Sequence, residues 1–229
     1  MAICHVVRLG RIAYPEALEL QLGIVGRLKA AEPGDAVLLL LEHEPVITIG
    51  RSGGADHLLA SRDELACRGI ALVDSGRGGD VTYHGPGQLV GYPLLRLPEH
   101  RRDVHRYLRD LEAVLIAALA RFGIQGRRVA GYTGVWVGEE KVAAIGVAFS
   151  RWVAYHGFAL NVATDLAAFD LIVPCGIADK PVTSLERLLG RAAPWREVEA
   201  AVVEAFVHTF GFDAAHPCRS VDDLPPTLR

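Results

Sequence analysis

The sequence predicts an α+β domain, a mixed or antiparallel sheet flanked by helices, with a small helical portion from about residue 181. Two patterns lead there. Strand-like and helix-like stretches do not alternate regularly, which argues against a doubly wound parallel sheet. The middle of the chain is a run of short strands between turn residues, and its character turns helical after residue 176. The 229 residues, 51% of them hydrophobic, suffice for one sizeable core. We read residues 1–212 as one domain and residues 213–229 as an irregular tail, Pro-rich and acidic from Pro217.

The elements follow in order. Residues 14–30 have helical periodicity, with Leu18, Leu22, Val25 and Leu28 on one side and Pro15 suited to a first turn. Residues 36–41 form an apolar run of the buried-strand type; Pro45 breaks any helix, and residues 46–49 look extended. Ser61 caps a short helix ending at Cys67, with Glu64 in the capping-box position. Residues 70–73 and 88–95 read as strands, separated by a glycine-rich turn at 75–79 and by Gly85-Pro86-Gly87. Asp103 opens the longest helix, which runs to Phe122 and stops at Gly123. Strands at 133–137, 142–149 and 156–162 come next, the first two joined as a hairpin through Gly138-Glu139-Glu140. Residues 183–189 and 195–210 are helical.

Composition removes several classes of function. A net charge of −3 lacks the basic excess of a nucleic-acid binder. The longest apolar runs, 36–41 and 113–120, fall short of the roughly 20 residues a membrane helix needs. The N-terminal residues lack a basic region followed by a long apolar stretch. The expectation is a soluble, cytoplasmic protein with no membrane and no nucleic-acid partner. Neither G-x-G-x-x-G nor a P-loop occurs. His43-Glu44-Pro45 fails as a zinc motif, because the fifth position is Ile47 and Pro45 breaks the helix. No metal and no cofactor are expected.

Two stretches carry candidate chemistry. The first is Arg77, Gly78, Gly79, Asp80, Val81, Thr82, Tyr83 and His84. Its glycines permit either a tight turn or close approach of backbone to a ligand. The second holds Cys175 between Pro174 and Gly176, hence in a turn and not inside a core element. The other cysteines, Cys4, Cys67 and Cys218, read as small buried hydrophobes. A free thiol is mostly protonated at neutral pH, and a neighbouring ammonium converts it to thiolate. Lys141 is a candidate for that ammonium. The chain has 21 Arg against three Lys, and Lys, unlike Arg, can shed its proton when desolvated. Spacing alone leaves both a structural turn and a reactive centre open for each stretch.

Three blocks taken together resemble one family. The first is Glu42-His43 with Pro45, Val46, Thr48 and Gly50. The second, the most specific, is residues 77–95, RGGDVTYHGPGQLVGYPLL. The third is residues 141–162, followed by Pro174-Cys175-Gly176-Ile177 and Val182-Thr183-Ser184-Leu185. In this the chain resembles the lipoyl (octanoyl) transferases of lipoate biosynthesis over residues 5 to 190. The resemblance implies the catalytic-domain fold of biotin- and lipoate-protein ligases. It also implies a reaction: octanoyl passes from acyl carrier protein to a lysine on the lipoyl domains of 2-oxoacid dehydrogenase E2 subunits or on the glycine cleavage H protein. By match to the motif, Cys175 would be the acyl-thioester nucleophile and Lys141 its proton handler. Residues 77–84 with Ala144, Ile145, Gly146, Gly157, Phe158 and Ala159 would line the acyl site. Gly146, Gly157 and Ala159 are small enough to leave room for the chain, and Ile145 and Phe158 could wall it. A thioester donor is already activated and needs no ATP. The alternatives are an ATP-dependent ligase on the same fold, a non-catalytic acyl-carrier-binding module, and a Cys–His thioesterase.

Overall fold

The computed structural model describes residues 1–173 and 181–229. In chain order the elements are β1 (Ile3–Ile12), α1 (Tyr14–Leu28), β2 (Ala36–His43), β3 (Val46–Ile49), α2 (Arg62–Cys67), β4 (Ala71–Asp74), β5 (Val81–His84) and β6 (Gln88–Arg96). Then come α3 (Val104–Ala120), β7 (Arg127–Val129), β8 (Tyr132–Val137), β9 (Glu140–Ser150), β10 (Val153–Asn161), α4 (Leu185–Leu189), α5 (Trp195–Phe210) and β11 (Ala214–Cys218). The expected α+β class is what is found. Eight strands form a mixed sheet in the order β11-β1-β2-β6-β10-β9-β8-β7, and β4-β3-β5 form a second, small sheet.

Helices cover both faces of the large sheet, which explains why β2 is apolar from Ala36 to Leu41. Leu38 and Leu40 face a core shared with Leu111 and Leu115 of α3 and Phe206 of α5. Val37, Leu39 and Leu41 face the opposite core, shared with Ala17, Ile24 and Leu28 of α1. Full burial of one such Leu or Val side chain stabilises by roughly 1.5–3 kcal/mol. A third cluster lies under the small sheet, where Ile47, Val81 and Tyr83 meet Leu65, Phe169 and Ile172.

The caps form as expected, except that the Ser61 capping box is half made, the Glu64 carboxylate accepting from Arg68 Nη2 at 2.8 Å. The Ser61 hydroxyl accepts the Glu64 N–H, Asp103 accepts the Arg106 N–H, and Gly123 is left-handed at φ 73°. Three expectations need correction. Of the expected inward face of α1, Val25 and Leu28 are buried, but Leu18 is half-buried and Leu22 is 50% exposed; Tyr14, Ala17, Gln21 and Ile24 complete the buried face. Gln21 takes an inward place because its side-chain oxygen accepts the His156 backbone N–H at 2.8 Å. Cys67 is exposed, because it ends a helix that buries only Leu65. Part of the expected irregular tail is ordered: β11 pairs in parallel with β1, Ile3 opposite Ala214 through Val7 opposite Cys218. Leu224 and Leu228 beyond it enter the α1-side core. No helix among the described residues is long and apolar enough to cross a membrane.

Candidate active site

The turn at residues 77–80 is held between two other segments. Gly50 N–H donates to Asp80 O, Arg51 N–H to Arg77 O, Ser52 N–H to Gly79 O, and Gly78 N–H to Val147 O. Gly79 sits at φ 85°, where an L side chain is strained, and Gly50 meets its carbonyl so closely that a Cβ there would lie 2.2 Å from it. The Arg77 guanidinium is buried. It donates to the Thr48 hydroxyl from Nε (3.1 Å), to the Thr48 carbonyl from Nη2 (2.7 Å) and to the Gly78 carbonyl from Nη1 (3.1 Å).

Below this turn runs a slot of about 470 Å³, part of it open to solvent. Residues 77–80, Thr82, His84, 144–146 and 157–159 line it, together with Tyr14, Tyr92 and His156. Val81 and Tyr83, expected in the same lining, face away: alternation along β5 turns them into the third core, where the Tyr83 ring meets Phe169. Cys175 lies outside the described residues. Phe158 touches the slot, but its ring fills the space over Gly91 in the α3-side core, where a Cβ on Gly91 would stand 2.1 Å from it. Gly146 and Gly157 are paired across β9 and β10. Their missing side chains admit backbone instead of leaving room for a ligand: a Cβ on Gly146 would meet Gly78 O at 2.9 Å, and one on Gly157 would meet Gly91 O at 2.2 Å.

One end of the slot is a hydrogen-bonded group of tyrosines and histidines. His43 Nδ1 lies 3.0 Å from the Ile12 carbonyl, an acceptor only, so Nδ1 carries the hydrogen. Its Nε2 then accepts the Tyr92 hydroxyl at 2.7 Å. The Gln88 amide donates to Tyr83 O and to the Asn161 side chain, so its oxygen accepts from His84 Nδ1–H at 2.7 Å. Burial pushes His43 down to about 4 and His84 well below the ordinary imidazole value; His43 and Arg77 nearby lower His84 further. Both rings are neutral at pH 7. Tyr14 and Tyr92 are pushed up by burial and stay protonated.

His156 opens the strand that the sequence predicts over 156–162. Alternation would place it with Ala154 and Phe158, in the α3-side core. Its backbone instead has φ 57°, and its ring lies beside Tyr92 in the slot wall. Burial, with Arg77 and Arg51 adding to it, lowers it to about 4, and neither ring nitrogen has a hydrogen-bond partner among the described residues. No periodicity announces a positive φ at a His. Tyr92 and Tyr14 were also missed as lining: Tyr92 stands in the quoted GYPLL run but looks like any strand aromatic, and Tyr14 opens a helix.

A second, open cleft of about 1180 Å³ adjoins the slot and shares its residues 78–80, Ile145 and Gly146. Lys141 lines this cleft and is 7% exposed. Its Nζ lies 5.5 Å from the Trp136 ring centroid, within cation–π range. The Lys141 N–H donates to Pro181 O at 2.8 Å and its carbonyl accepts the Thr183 N–H at 2.9 Å. His57, on the opposite bank, accepts the Val173 N–H at its carbonyl at 2.8 Å. His57 and Lys141 therefore hold the two described ends that flank residues 174–180. Among the described residues no cluster of three or more His, Cys, Asp or Glu could hold a metal ion.

Comparison with known proteins gives this arrangement a context. Residues 13–207 match the family model of the lipoyl protein ligase A/B catalytic domain. The chain is 52% identical to an octanoyltransferase of Solibacter usitatus, over 93% of this chain and 96% of that protein. It is 54% identical to one of Rubrobacter xylanophilus, over 88% and 91%. It is 49% identical over 98% of its length to a longer octanoyltransferase of Myxococcus xanthus, of which it spans 62%. In fold it is similar to a bi-partite lipoate protein ligase of Thermoplasma acidophilum (TM-score 0.77, 17% identity, 100% of this chain and 89% of that one). A biotin protein ligase of Aquifex aeolicus is more distant (TM-score 0.51, 15% identity, 90% and 70%). The chain belongs to the lipoyl protein ligase A/B catalytic-domain family, as one of its octanoyltransferases.

Proposed function

We propose that the protein takes octanoyl from octanoyl-acyl carrier protein, holds it as a thioester on Cys175, and passes it to a lysine ε-amine. The acceptors in this reading are the lipoyl domains of 2-oxoacid dehydrogenase E2 subunits and the glycine cleavage H protein, and the setting is the cytoplasm. The acyl chain occupies the slot beneath residues 77–80, and carriers approach by the open cleft. One observation carries the reading: the described ends that flank residues 174–180 are tied to His57 and to Lys141, and both of these line the cleft that opens into the slot. Two Cα–Cα steps keep Cys175 within about 7.6 Å of the Val173 Cα by chain connectivity alone.

The chemistry balances without ATP. The Cys175 thiolate attacks the donor carbonyl, the bond to the carrier sulfur breaks, and Lys141 protonates the departing thiolate. The neutral acceptor amine then attacks the Cys175 thioester, its N–H proton passes to the now neutral Lys141 as the amide forms, and Cys175 leaves as thiolate. Arg could not give up the proton that this sequence requires.

In ATP-free buffer, the native protein should gain an octanoyl adduct seen by intact mass and pass it to a lipoyl domain. Cys175→Ser should carry no adduct and should transfer at least about a thousandfold more slowly. Adduct on the Cys175→Ser protein, or a requirement for ATP, would overturn the assignment.

A further inference from the structure

Octanoylation removes two protons from a lysine ammonium, one before the nitrogen can attack and one as the amide forms. This argument rests on the Cys175–Lys141 reading above. In that reading Lys141 is neutral once it has protonated the carrier thiolate, so it can take one of the two protons and return to ammonium. The other proton needs a second acceptor in the same cleft.

We infer that His57 is that acceptor, the base that deprotonates the incoming lysine. Three observations converge on it. Its side chain lines the cleft that holds Lys141, and its carbonyl binds Val173, two residues before Cys175. Its Nδ1 stands 2.5 Å from Oδ2 of Asp80, not aligned as an N–H···O hydrogen bond but close enough to compensate charge on the ring once it takes a proton. Asp80 is held in place, because its other oxygen accepts the Val81 N–H at 2.7 Å. Finally, the His57 side chain is 38% exposed, unlike the buried rings of the slot, so a proton taken there has a way to water.

The step is a simple exchange. The lysine N–H bond breaks, its electron pair stays on nitrogen, and the proton moves to the imidazole. The Asp80 carboxylate compensates the imidazolium, which then releases the proton to solvent. Among the described residues, the charged side chains that line the cleft beside His57 are Asp80 and Lys141.

The test separates the half-reactions in single turnover, with octanoyl-pantetheine as donor and a purified lipoyl domain as acceptor. In His57→Gln, acyl-enzyme formation should stay within about threefold of native. Aminolysis should fall about 10–100-fold at pH 7 and recover towards pH 10, where the acceptor amine deprotonates unaided (ordinary value about 10.4). Added imidazole should restore aminolysis in His57→Ala. Equal slowing of both half-reactions at every pH, or unslowed aminolysis, would overturn the role of His57. Failure of the native protein to form an acyl-enzyme would overturn the Cys175 reading instead, and the two failures are seen in different proteins.

Discussion

The backbone at Gly134 carries φ 130°, and the place a Cβ would take there is 2.6 Å from the Ala143 carbonyl oxygen, 2.7 Å from Cε and 3.5 Å from Nζ of Lys141. The lysine side chain lies across a residue that offers it no side chain. Glu112, fully buried, holds this backbone from behind: one oxygen accepts the Gly134 N–H at 3.1 Å, and the other binds Arg109 at 2.7 Å and Arg128 at 2.9 Å. Gly134→Ala should displace the ammonium, and a misplacement of this size slows catalysis by roughly a hundredfold. Backbone strain of about 1–3 kcal/mol should accompany it. The check is the same substitution in a Lys141→Ala background, measured by single-turnover transfer. If Gly134 acts through the lysine, the second change adds little to the activity loss; full additivity refutes the coupling.

At the level of elements, the strand β11 and the residues after it were the least readable part of the chain. Ala214, Ala215 and His216 are exposed and show no strand alternation; only register against β1 makes them a strand. Leu224 and Leu228 are each 3% exposed in the α1-side core, so this tail carries stability. Leu228→Ala should cost about 2–4 kcal/mol, read as a lower urea midpoint with unchanged slope. A midpoint shift corresponding to less than about 0.5 kcal/mol would show the tail to be a loose appendage. The regular elements were readable for local reasons: α3 and α5 carry their periods and stops in sequence, and β2 carries its apolar run. In the site, residues 77–80 could be found because two adjacent glycines and a motif mark them. The orientation of His156, the coverage of Gly134 by Lys141 and the position of His57 depend on backbone angles and partners far along the chain. Local pattern does not encode them.

The whole molecule holds buried neutral imidazoles, and this makes its stability depend on pH. His43 and His156 are each lowered to about 4 from an ordinary 6.5, and His84 is lowered as well, burial being the main cause in all three. The unfolded chain therefore binds protons before the folded one does. Stability is fully present above about pH 6.5 and is lost as pH falls towards 4, at up to roughly 1.4 kcal/mol per pH unit for each ring. Urea midpoints between pH 7.5 and 4.5 should fall steeply, and a flat profile would contradict the buried neutral state. The parallel pairing of β1 with β11 has a different consequence, one of time. The Asp213 N–H donates to the Ala2 carbonyl, so the starts of β1 and β11 meet at one edge of the sheet. During synthesis β1 emerges first and can pair with β2 at once, but its other edge stays open until residues 214–218 have left the ribosome. Until then the nascent protein presents an unpaired strand edge, the kind of surface that invites association with other chains. β11 is the strand that closes it.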